Sequence, residues 1–145
     1  MQDIDRLNET FTTLAKQGIV GHHNFWCCGG CAAGGAENAY NALPDAEKAE
    51  VTGAVYYHEQ DADRVINDSR WGLTLHYRAF PHNNDDARKA VGHQIERALF
   101  NSGLTVEWSG DPSDFIEVVP FRVTLNEVPM GVGNFLHERY DEDDR

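Results

Sequence analysis

The sequence predicts an α+β fold, or an α/β fold with an antiparallel end, built on a single mixed β-sheet of about five strands with helices packed on it. Three observations carry this. Helix-like and strand-like segments alternate along most of the chain. The last two strand-like segments are separated only by a short stretch around Asp111-Pro112, which suits an antiparallel pair. The length, 145 residues, fits one domain of about 100–200 residues. A chain of that size buries about two-thirds of its unfolded surface, so neither a metal nor a disulfide is required for folding.

The elements follow in order. Residues 3–17 place Ile4, Leu7, Phe11 and Leu14 on one apolar helical stripe, which Gly18 stops. Residues 19–28, IVGHHNFWCC, are rich in β-branched and aromatic side chains and read as a strand. Alternation puts Ile19, His23, Phe25 and Cys27 on one face and Val20, His22, Trp26 and Cys28 on the other. Gly29 and Gly30 turn the chain into a small-residue helix from Cys31 to Leu43, ended by Pro44. A short helix over 45–50 precedes a second strand over 51–59. Asp61 caps a helical segment carrying Ala62, Val65 and Ile66. Residues 73–80 form a third strand, with Leu73, Leu75 and Tyr77 inward and Thr74, His76 and Arg78 outward. Residues 85–101 give the clearest helix, lined by Ala87, Val91, Ile95, Ala98 and Leu99 and ended by Gly103. Residues 104–108 and 115–125 complete the strands, and Pro120 places the last one at an edge or a bulge. Helices between strands suggest parallel neighbours. Residues 1–136 read as one domain, and the acid-rich residues 137–145 as a solvated, disordered tail.

Composition narrows function by exclusion. With 12 Lys+Arg against 24 Asp+Glu, the net charge of −12 opposes binding to nucleic-acid phosphates or anionic lipid. No apolar run approaches the roughly 18 residues of a membrane span. The acidic, polar N-terminus lacks the layout of a signal peptide, so the expected location is the cytoplasm. No nucleotide loop, G-x-S-x-G or H-E-x-x-H pattern is present.

The chemistry concentrates in Trp26-Cys27-Cys28-Gly29-Gly30-Cys31, which holds all three cysteines of the chain. An odd, clustered set without an export signal is not a disulfide framework. One reading is a metal site, with zinc the candidate ion. Cys28-x-x-Cys31 has the spacing of half a tetrahedral site, and His22, His23 and Cys27 stand nearby. A second is thiol redox, because a cysteine at a helix start has its thiolate stabilised by unpaired amides and the helix dipole. Trp26 before the C-x-x-C gives a local likeness to thioredoxin, from which the extra cysteine departs. The third takes the cysteines as small core residues, Cys27 above all, because it shares the parity of Ile19 and Phe25.

A second polar cluster, His58-Glu59-Gln60-Asp61, ends the second strand, where α/β sheets place ligand sites. If the first two strands are parallel neighbours, Cys28 and His58 share a sheet edge. The candidate site is therefore Cys28, Cys31, His58, His22 and Cys27, with Glu59, Gln60 and Asp61 in support. His76, His82, His93 and His137 show no ligand spacing and read as surface or interface residues. Arg78 and Arg122 could grip an anion, but a solvated strand face accounts for both.

Together, Cys27-Cys28-x-x-Cys31, Tyr57-His58-Glu59-Gln60-Asp61, Gly72-Leu73 and Leu104-x-x-x-Trp108 resemble a bacterial domain family of unknown function over roughly residues 10–120. The resemblance implies no activity, but its residues coincide with those chosen by chemistry. The favoured function is a thiol-rich Cys/His site that binds a metal or performs thiol redox chemistry. The alternative is a protein-interaction module, self-associating through the fifth strand or binding a protein partner, with structural cysteines.

Overall fold

The computed structural model describes residues 1–138. Most of the expected acidic tail, residues 139–145, lies outside the described residues. Helix α1 (Asp3–Lys16) buries Ile4, Leu7, Phe11 and Leu14, the stripe legible in the sequence. Strand β1 (Ile19–His22) follows, then α2 (Gly29–Asn41), α3 (Asp45–Lys48) and β2 (Gly53–Tyr56). Helix α4 (Glu59–Asn67) and a 3-10 turn (Ser69–Trp71) lead into β3 (Leu73–Ala79). Helix α5 (Asp85–Asn101), β4 (Val106–Glu107) and β5 (Ile116–Val118) complete the sheet.

The five strands form one mixed sheet in the order β1-β2-β3-β5-β4. β1 and β2 run parallel, with His22 opposite Tyr56. The pairs β2–β3, β3–β5 and β4–β5 are antiparallel. The fold is α+β, as the sequence indicates. Two expectations are corrected. β2 and β3 are antiparallel although a helix joins them, because α4 and the 3-10 turn return the chain to the same sheet edge reversed. β5 is not at an edge: it lies between β3 and β4, and Pro120 falls beyond it. A second chain therefore has no free β5 edge to join.

One sheet face carries the main core. Leu7 and Leu14 of α1 and Ile95 and Leu99 of α5 meet Ile19, Val55, Leu75 and Ile116, all fully buried. Each such side chain contributes about 1.5–3 kcal/mol. The opposite face holds a smaller cluster of Phe25, Ala32, Ala36 and Tyr56, with Trp26 against it. This face is less open than the alternation of β3 suggests. Thr74 is buried, and its hydroxyl donates to both Glu117 carboxylate oxygens at 2.9 and 3.0 Å. Among the described residues no helix is long and apolar enough to cross a membrane.

Candidate functional site

The site forms where the parallel pair β1–β2 runs out. The Phe25 amide donates to the Tyr57 carbonyl at 2.8 Å, and the Glu59 amide to the Trp26 carbonyl at 3.0 Å. These bonds hold the segment after β1 beside the start of α4. The segment is not the strand that β-propensity predicts. Asn24 and Trp26 take positive φ values of 49° and 65°, left-handed backbone that ends strand geometry. The predicted alternation stops at His22, and Cys27 is only half-buried rather than a core residue.

Two supports fix this turn. Trp26 lies between α2 and the C-terminal segment, where a Cβ on Gly35 or on Gly133 would strike its indole ring. Residues 128–136 form a strap across the turn. Trp26 donates its amide to Val132 O at 2.8 Å, and Asn134 Nδ2 donates to Asn24 O at 2.7 Å and to Trp26 O at 3.2 Å. Val128 and Leu136 anchor the strap in the core.

α2 opens at Gly29, two residues earlier than expected, with Cys28 at its N-cap position. The three thiols are thus gathered on one turn. The sulfurs of Cys27, Cys28 and Cys31 all lie within 4.8 Å of one another, and Cys27 Sγ to Cys28 Sγ is 3.6 Å. They lie close enough to bind a metal. Their acidities diverge. The Cys31 backbone amide, with the neighbouring thiols, holds Cys28 below the usual thiol range. The Cys28 and Cys31 side chains push Cys27 up to about 11.

A second set lies across the start of α4. His58 caps the helix, its Nδ1 accepting the Asp61 amide at 3.4 Å. The Asp61 carboxylate returns the bond by accepting the His58 amide at 3.0 Å. Asp61 is therefore the capping-box partner at the third helical position, not the cap itself. The same oxygen, Oδ2, lies 2.9 Å from His76 Nε2 and 3.3 Å from His58 Nδ1. These ligand atoms also fall within 4.8 Å of one another. Burial holds the His58 pKa below its ordinary value, opposed by the Asp61 charge. His76 is not a plain surface residue. It stands opposite Tyr56 in the β2–β3 register, and their rings stack at 5.5 Å.

Of the sequence-derived candidates, the structure brings Cys27, Cys28 and Cys31 together, and joins His58 to Asp61 and the overlooked His76. His58 Nε2 faces α2, 4.0 Å from where a Cβ on Gly29 would sit. His22 belongs to neither set: its ring stacks on Phe25 at 4.2 Å. Glu59 accepts the Phe135 amide at 3.1 Å through Oε1, and Gln60 is exposed on α4.

Residues 1–124 match the family model described as a domain of unknown function, DUF6891. The chain belongs to this family. No curated protein and no solved structure matches it. The matched span of this chain includes all three cysteines, His58, Asp61 and His76. The strap over the thiol turn lies outside it.

Proposed function

We propose that the domain binds a thiophilic metal ion, zinc first, through Cys27, Cys28 and Cys31. The observation that carries this reading is the 3.6 Å spacing of the Cys27 and Cys28 sulfurs within a three-thiol set. Bonds of about 2.3 Å in a tetrahedral zinc site put neighbouring sulfurs about 3.8 Å apart. A disulfide needs about 2.05 Å. Three protein ligands leave a fourth position for water or another ligand. Binding displaces the thiol protons, so affinity rises with pH. A reduced cluster of this kind suits a cytoplasmic protein. Thiol redox between Cys28 and Cys31 is the second reading, favoured by their C-x-x-C spacing across two glycines at a helix start.

Elemental analysis of tag-free protein purified under reducing conditions tests both, with thiols counted on the same sample. The expected result is about one zinc per chain, thiols shielded until a chelator is added, and loss of the metal in Cys28→Ser and Cys31→Ser. Metal-free protein that takes up no added zinc, with three freely reacting thiols, overturns the metal reading. A reversible Cys28–Cys31 disulfide in such protein would establish the redox reading instead.

A further inference from the structure

A cleft of about 360 Å³ opens beside the start of α2, between Tyr56 and His76 on the sheet and the loop over 112–115. We propose that it binds a small molecule by an oxyanion group, phosphate or carboxylate, held by Arg78 and Arg88.

Both arginines line the cleft, and the Nε of each is buried with no protein partner. Arg78 is not the solvated strand residue that its sequence position suggests: its side chain is only 22% exposed. Each guanidinium meets a carboxylate through one Nη2, Arg78 with Glu37 and Arg88 with Asp85, both at 3.3 Å. The other Nη donors of each fork remain for another acceptor. Two cations converge here although the chain carries a net charge of −12, so the pair is a local feature and not part of a basic surface.

The wall is preformed. The Tyr77 hydroxyl donates to Asp114 O at 2.7 Å, and Trp108 Nε1 to Asp111 O at 3.2 Å. Asp114, a carboxylate in the lining, already accepts from the Ser109 hydroxyl at 2.6 Å. Gly29 also lines the cleft, so the positive end of the α2 dipole adds to the arginines. Phe115 is 56% exposed and lies 4.6 Å from the His76 ring. With Pro112 and Tyr56 it offers an apolar surface for the body of the ligand. The volume falls at the small end of ligand sites, which run about 300–1,000 Å³.

The test titrates full-length, chelator-treated protein with phenyl phosphate, benzoate and neutral benzyl alcohol, followed by amide chemical shifts. Chelation keeps any bound metal from supplying the anion contact, so the outcome is independent of the zinc reading. One or both anions should saturate, with shifts at Gly29, Arg78, Asn83 and Phe115. The tighter of the two identifies the headgroup. Arg78→Gln and Arg88→Gln should each weaken binding at least tenfold, while Arg97→Gln, on an exposed part of α5, leaves it unchanged. If a glutamine variant fails to fold, Arg78→Lys and Arg88→Lys keep the charge, lose the fork and should still bind more weakly. The proposal fails if neither anion saturates on folded wild-type protein, if the shifts map elsewhere, if Arg97→Gln weakens binding equally, or if benzyl alcohol binds as well.

Discussion

Asp61 does more than its place in the first turn of a helix suggests. One buried oxygen faces the His58 amide, the His58 ring and the His76 ring. Removing it would leave a buried amide without an acceptor and a histidine pair without its carboxylate. Asp61→Ala should therefore cost about 1–3 kcal/mol in urea unfolding, and Asp61→Asn, which keeps an acceptor, clearly less. Equal stabilities for wild type and Asp61→Ala would show that the carboxylate supports nothing. The sequence singled out His58 and Asp61 because they adjoin each other at a strand end. It missed His76 for a physical reason. Its partner lies 15 residues away, and only the antiparallel β2–β3 register brings the two together. The residue spacing within β3 carries no trace of it.

Helices with strong periodic faces were legible almost to the residue. The segment predicted over 85–101 is α5, Asp85–Asn101. β1 was not, because HNFWCC has the composition of a strand while Asn24 and Trp26 adopt a backbone that no strand permits. The turn they make is held by the strap, a contact no local pattern can reveal. Gly133 is a tight point of the strap with left-handed backbone: its φ is +71°, and an added Cβ would enter the Trp26 ring. Gly133→Ala combines backbone strain with overpacking and should destabilise the fold by about 1–3 kcal/mol. The metal-free variant should also show faster thiol labelling of the 27–31 turn than wild type. Unchanged labelling would mean that the strap does not hold the thiol turn.

For the whole molecule, the mixed character of the sheet was readable and its strand order was not. Order is set by pairings between strands far apart in the chain, such as β3 with β5, which no local pattern carries. Acid stability is also a property of the assembled layers. His23 lies 4.7 Å from the Phe11 ring, with its Nδ1 2.7 Å from the Tyr57 hydroxyl. Burial lowers its pKa from 6.5 to about 4. The folded state thus binds fewer protons than the unfolded chain between these values, and stability falls as pH drops from 6.5 towards 4. The loss attributable to His23 should be about 2–3 kcal/mol. Urea unfolding at pH 7 and pH 4.5 measures it, and His23→Asn should flatten the difference. An identical pH slope in that variant would assign the effect to other groups. His22, also lowered by burial, accounts for a remainder.

The strap finally implies an order of events during synthesis. Asn134 closes on Asn24 across 110 residues of chain. At about 5–20 residues per second, the ribosome needs roughly ten seconds to deliver the closing segment after the cysteines are made. Throughout that interval the turn that carries the three thiols is without its brace. Any ion or oxidant that reaches them then meets a loop whose shape is not yet fixed.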